Sequence, residues 1–340
     1  MTRRVLLALL AIVALTAALP LAAAAKRSWA QREINLVTAA GVMTATGGSF
    51  RPDDALTQGE LAELVSALSG EPTRDPASPS SRVTIAQLDA QLVGALGLAD
   101  EATLFARAAR AAGLKPPARF GREVVARLLG LRFNHPAGED ALEPLWSDPS
   151  TRAEAAYSAA QILRLRGWET TAVEEQAREV ALPVLDEPQR QILAYAIGLV
   201  GYPYVWGGTS TGRQAPFGVK TSGGFDCSGF LWQVYKLHAY PGLEGLGAVI
   251  RGRTAAQMAG EAPRGKRIPF ARLEPGDLLF FGSGGPHAKP SSVDHAGIYL
   301  GSGWMVSSSR YGVALAKVEG WYRERFAWGR RPLAEAGLAW

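Results

Sequence analysis

The feature that most constrains this 340-residue chain is a change of character near residue 185. Before it, Ala, Leu and Glu recur at helical spacing; after it lie most of the Gly, Trp and Tyr, with short strand-like runs. Residues 26–185 carry a net charge of −3 and residues 186–340 one of +6. Pro183 and Pro188 interrupt the helical pattern in the Ala181–Pro188 segment, which predicts a domain boundary there. The expected organisation is a helical region over 26–180 and an α+β domain over 186–340. A single cysteine excludes a disulfide scaffold and a Cys-cluster zinc site, and four scattered histidines make no metal tract. The overall charge of +5, without a Lys/Arg run, gives no support to nucleic-acid binding.

Arg3 and Arg4 precede the apolar run Val5 to Leu19, and Ala23-Ala24-Ala25 follows Pro20. This is the charged, apolar and small-residue order of a secretory signal, so residues 1–25 are expected to be removed and the mature chain exported without stable membrane insertion. An uncleaved anchor is the alternative, because the uncharged stretch Val5 to Ala25 is long enough to span a bilayer. No cysteine near the cut offers a lipid attachment site. Export makes an unpaired thiol notable: Cys227 is either a reactive group or a small buried hydrophobe.

In the first half, Gln31 to Met43 and Leu61, Leu64, Val65, Leu68 read as helices. Thr57 with Glu60 makes a Thr-x-x-Glu capping box, repeated at Thr151 and Glu154. Phe50-Arg51-Pro52-Asp53-Asp54 followed by Leu56-Thr57-Gln58-Gly59-Glu60 resembles the core of an S-layer homology module. Val83-Thr84-Ile85 and Ser150-Thr151-Arg152-Ala153-Glu154 look like degenerate copies. The resemblance implies binding of an anionic secondary cell-wall polymer, although the middle unit lacks the acidic residue.

In the second half, Gln189 to Val200 reads as a helix that breaks at Gly201-Tyr202-Pro203-Tyr204-Val205-Trp206-Gly207-Gly208. Past Gly223-Gly224-Phe225, the recurrence of Phe230, Val234 and Leu237 predicts a helix with Asp226 as N-cap and Cys227 in its first turn. Partial positive charge at such a terminus favours thiolate, and Gly229 permits close backbone approach. A cysteine nucleophile needs a base. His295 is the best candidate: Leu279-Phe280-Phe281 and Ala296 to Leu300 read as strands, and His295 begins the second of them, next to Asp294. His287 falls in a Gly/Pro/Ser loop, His238 closes the cysteine helix, and His135 lies in the other half.

Five segments in order resemble the NlpC-type cell-wall cysteine peptidases, a papain-like family of peptidoglycan endopeptidases. They are Pro203 to Gly208, Phe225-Asp226-Cys227-Ser228-Gly229, Arg253-Thr254-Ala255-Ala256-Gln257, Leu273 to Leu278 and His295-Ala296-Gly297-Ile298-Tyr299-Leu300-Gly301. The resemblance implies helices packed on an antiparallel sheet, Cys227 as nucleophile and His295 as base. It places Tyr204, Asp226 and Ser228 beside the sulfur, with Tyr204 near the oxyanion. It implies stem peptides of peptidoglycan as substrate, cut between D-glutamate and a diamino acid, and no metal or organic cofactor. The family's third residue, which orients the base, falls at Ser307, a weak orienter. A two-residue turn at Ser302-Gly303 would instead put Ser308 and Arg310 on the His295 face, and a three-residue turn Ser307 and Ser309. Extra residues in Ala239–Arg251, Gly282–Val293 and Gln214–Ser222 are expected to frame the cleft. The expected activity is that of a secreted wall hydrolase; the alternatives are a wall-binding protein with a degenerate peptidase domain, or a transferase passing the same acyl group to an amine.

Overall fold

The computed structural model describes residues 27–45, 48–132 and 143–338. The expected leader (1–25) and His135 lie outside the described residues. The first half is all helical: α1 Gln31–Ala39, α2 Gln58–Ser69, α3 Ile85–Ala95, α4 Ala99–Ala111, α5 Phe120–Leu128, α6 Arg152–Arg164 and α7 Trp168–Glu179.

Three of these helices begin alike. Thr57, Thr84 and Thr151 cap α2, α3 and α6, each accepting from the backbone N–H three residues on. The residue before each cap joins a closed ring of backbone hydrogen bonds: Leu56 N–H donates to Ser150 O, Ser150 N–H to Val83 O, and Val83 N–H to Leu56 O, at 2.7–2.9 Å. All three residues are fully buried, so each backbone polar group finds its partner in the next unit. Arg152 clasps the third unit to the first, donating to Phe50 O at 2.8 Å and Thr44 O at 2.7 Å and pairing with Glu60.

The second half opens with α8 Glu187–Gly198, set by a capping box between Asp186 and Gln189. Its strands are β1 Thr209–Ser210, β2 Gly224–Phe225, β3 Leu278–Gly282, β4 Val293–Gly301, β5 Trp304–Ser309, β6 Gly312–Lys317 and β7 Phe326–Arg330. The larger sheet is antiparallel in the order β6-β5-β4-β3-β7, and β1 pairs with β2 separately. Helices α9 Cys227–Trp232, α10 Leu246–Val249, α11 Ala255–Gly260, α12 Gly320–Arg325 and α13 Pro332–Glu335 complete the chain. The α+β architecture is the expected one. No helix among the described residues is long and apolar enough to cross a membrane.

Strand alternation gives the sheet two faces. Phe280, Ala296, Ile298 and Val306 join the main core beneath α9; Leu279, Phe281, Tyr299, Met305 and Phe326 form a smaller cluster, covered by Phe270, Leu273 and Tyr322. The main core continues into the first half without a break. Phe105 of α4 meets Trp304 of β5 edge-on at 5.7 Å, and Trp146 meets Tyr202 at 4.7 Å. The Ala239–Arg251 insertion joins this core through Leu243, Leu246 and Ile250, so much of it serves packing where the sequence suggested a cleft rim.

A buried ionic knot fastens the halves together. Arg127 of α5 pairs with Glu123 at 2.8 Å and Glu143 at 3.1 Å; Arg132 shares Glu143 at 3.2 Å and faces Asp89 at 3.7 Å. The same Arg127 guanidinium donates to Gly201 O at 2.8 Å and to Tyr311 O. It thereby holds both the aromatic turn at 201–208 and the turn between β5 and β6.

Candidate active site

Asp226 caps α9, its Oδ1 accepting from Gly229 N–H at 2.5 Å and from the Ser228 hydroxyl at 2.9 Å. Its Oδ2 accepts from Gly207 N–H at 2.9 Å. Arg253 closes the cluster: it donates to Ser228 Oγ at 2.8 Å, to Asp226 Oδ2 at 3.2 Å and to Gly207 O at 3.1 Å. A Cβ at Gly229 would fall 1.8 Å from Gly208 O, so only glycine lets α9 seat against that turn. Tyr204 lies half-buried alongside, its backbone bridged to Phe225. Asp226 and Ser228 are 8% and 5% exposed, and their oxygens are committed to this internal network. Their placement makes them holders of the helix entry.

Cys227 is half-buried at the start of α9. Its Sγ lies 3.9 Å from Asp294 O, and the Ala296 N–H is directed at it. The sulfur thus touches the β4 backbone on both sides of His295. The imidazole itself follows the strand alternation onto the face of the smaller cluster. There it packs 5.7 Å from both the Phe281 and Tyr322 rings. No hydrogen bond joins Sγ to the imidazole, and Nε2 is sealed from solvent with no hydrogen-bond partner among the described residues.

The electrostatics correct one expectation. Burial, with the Asp226 carboxylate adding to it, pushes the Cys227 thiol up to about 12. The N–H groups of Ala296 and Ser228 and the Arg253 charge oppose that rise without cancelling it. Burial likewise pushes His295 down to about 4; Asp294 opposes the fall and Arg325 adds to it. A helix of six residues with a carboxylate at its cap does not offset this burial, which favours the neutral form of both groups.

The register question is also answered. The turn has two residues, Ser302 and Gly303, between β4 and β5, but the pairing slips between Tyr299 and Gly301. Tyr299 faces Met305, and the same pairing continued puts Ser307 and Ser309 on the His295 face. A bulge therefore does what the sequence assigned to a longer turn. Ser307 is buried over Gly297, and with Ser309 it faces the Tyr322 hydroxyl, where the two oppose part of the rise that burial gives Tyr322. Ser308 points the other way and donates to Phe225 O at 2.6 Å, next to the α9 cap. His238 stacks on Tyr195 at 3.6 Å, and His287 is exposed.

Sequence reasoning missed Tyr322. It stands in α12, far from every motif, and neither spacing nor composition marks Trp321-Tyr322-Arg323 as part of a site. Arg253 was in view only as part of a motif; its role as the clasp between Asp226, Ser228 and Gly207 comes from the geometry.

With this arrangement in place, comparison with known proteins is direct. Residues 201–331 match the NlpC/P60 family and residues 24–62 the S-layer homology domain. A gamma-D-glutamyl-L-lysine dipeptidyl-peptidase of Bacillus subtilis (strain 168) is 31% identical over 117 residues, 34% of this chain and 30% of the relative. The probable endopeptidase YafL of Escherichia coli (strain K12) is 32% identical over 140 residues, 40% of this chain and 47% of the relative. The crystal structure of the NlpC/p60 domain of the peptidoglycan hydrolase SagA is similar at 29% identity and a TM-score of 0.29, covering 42% of this chain and 97% of that one. The similarity spans less than half the length of these two curated relatives.

Proposed function

We propose that this protein is an exported cysteine peptidase that hydrolyses a peptide bond in peptidoglycan stem peptides, between a D-glutamyl residue and a diamino acid. The observation that carries the reading is the sulfur of Cys227 in the first turn of α9, lying against β4 on both sides of His295. The NlpC/P60 match and the peptidase names of the relatives support the same chemistry.

In this reading Cys227 is the nucleophile and His295 the base. Because both rest neutral, the thiol proton passes to the imidazole as sulfur attacks the carbonyl carbon, and hydrogen bonds that are loose in a free enzyme tighten around substrate. The C–N bond then breaks, the amine leaves with the proton from His295, and water hydrolyses the thioester to regenerate thiol and release the acid. Tyr204 lines the acyl side near the oxyanion. Asp226, Ser228 and Arg253 fix the loop that presents the sulfur. Ser307 acts at one remove: with Ser309 it faces the Tyr322 hydroxyl, and the Tyr322 and Phe281 rings fix the imidazole. The first half, with its S-layer homology match, is assigned to an anionic wall polymer.

Digestion of purified peptidoglycan with the mature chain, read by mass spectrometry, tests the peptidase. New stem-peptide fragments absent with Cys227→Ala are expected; identical fragment patterns would refute it. One observation favours a second reading. The unpartnered Nε2 of His295 fits a domain that binds wall without cutting it, which predicts cell-wall pulldown equal in wild type and Cys227→Ala with no fragments from either.

A further inference from the structure

Two cavities meet beside His295. One, of about 620 Å³, is lined by Asp294, His295, Trp321 and Tyr322 and by the Ser309–Tyr311 turn. The other, of about 530 Å³, shares Ser309, Arg310, Tyr311 and Tyr322 with it, and its far wall comes from the first half, including Tyr157 and Gln161 of α6. Together they make a trough that starts at the imidazole and ends against the helical region.

The chemistry of the reaction says which part of a substrate such a trough receives. His295 hands its proton to the departing amine, so whatever is attached to that nitrogen lies on the imidazole side. The acyl portion stays with the sulfur, beside Tyr204. The trough also carries a charge suited to one end of a peptide. Arg310 is exposed, lies 4.7 Å over the Tyr311 ring and hydrogen-bonds its hydroxyl, and no carboxylate pairs with it among the described residues. A guanidinium braced on an aromatic ring is a preorganised carboxylate receptor. Beyond it, half-buried Gln161 makes no side-chain hydrogen bond among the described residues, leaving an amide suited to a peptide backbone.

Resting on the peptidase reading above, we propose that this trough is the binding site for the amine-side segment of the stem peptide. Arg310 takes its free carboxylate, and Gln161 takes the backbone further along. The helical half is then a wall of the substrate site in addition to any polymer binding of its own.

The test separates this inference from the activity it rests on. The dipeptide diaminopimelyl-D-alanine, titrated into full-length mature Cys227→Ala protein by calorimetry, needs no turnover. It is expected to bind about tenfold more weakly when Arg310→Ala is added, the scale of one charge-assisted hydrogen bond, and about threefold more weakly with Gln161→Ala. In the active enzyme the same two substitutions should act on KM for peptides extending past the scissile bond, and amidation of their terminal carboxylate should abolish the Arg310 effect. Hydrolysis that proceeds with KM insensitive to Arg310 and Gln161 would overturn the trough and leave the peptidase standing. Arg310-dependent dipeptide binding without hydrolysis would do the reverse. No binding of the dipeptide at millimolar concentration would also overturn the trough.

Discussion

Two clusters of polar groups lie out of water in this protein, and they are built on opposite terms. Around Arg127, charges of both signs meet at 2.8–3.2 Å, and the guanidinium also satisfies the carbonyls of Gly201 and Tyr311. Around Cys227 and His295 no counter-charge touches the reacting atoms, the Nε2 proton site has no partner, and both groups are pushed to their neutral forms. Burial perturbs both clusters, raising Asp89 and Glu143 in the first as it raises Cys227 in the second; the ion pairs to Arg127 and Arg132 distinguish them. A paired cluster holds structure, and an unpaired one keeps its capacity to change protonation during a reaction.

The largest expected effect breaks the first cluster. Arg127→Met leaves Glu123 and Glu143 with Arg132 as their one remaining arginine and removes the donor from two carbonyls, so the chain should lose roughly 3–5 kcal/mol of stability in denaturant melts. A loss under 1 kcal/mol would mean that the knot is replaceable by apolar packing. Next, Tyr322→Ala removes the ring that flanks His295. The rate of stem-peptide cleavage should fall about a hundredfold, the scale of a misplaced catalytic group, and Tyr322→Phe should recover most of it. Equal damage from both variants would shift the role from the ring to the hydroxyl.

A gentler probe reads the neutral pair directly. With a thiol near 12, the thiolate fraction rises tenfold per pH unit through the neutral range, so alkylation of Cys227 by iodoacetamide should climb with unit slope from pH 6 to 9 and run slower than a free-thiol reference. A plateau across that range would reveal a resting thiolate–imidazolium pair. Smallest of all, Ser307→Ala removes one of the two serine hydroxyls that face the Tyr322 hydroxyl and should cost about 1 kcal/mol or less, a several-fold change in cleavage rate. A hundredfold loss there would make Ser307 a direct orienter of the base.

Much of this was legible from the residues. Thr57 and Glu60 announced the start of α2, Asp226 announced α9, and Phe230 and Val234 marked its inward face, whereas Leu237, expected on that face, is exposed beyond the end of α9. These are local signals, written within a turn of chain. The positions of Thr84 and Thr151 hinted at repetition, but the ring of backbone bonds joining Leu56, Val83 and Ser150 is a long-range fact without side-chain code. The ionic knot was hidden for another reason: Glu123 and Arg127 look like an ordinary exposed i,i+4 pair until neighbouring elements cover them. The bulge between Tyr299 and Gly301 left no mark either, and it alone decided which serines face His295. The helix terminus alone was a poor guide to the sulfur, because burial and the Asp226 carboxylate push its thiol up against the favourable N–H groups.

Consecutive serines on β5 have one more consequence. Ser308 is moored to the carbonyl just ahead of the cysteine helix, and its two neighbours face Tyr322, whose ring flanks the imidazole. Nucleophile and base therefore both take their bearings from a single strand.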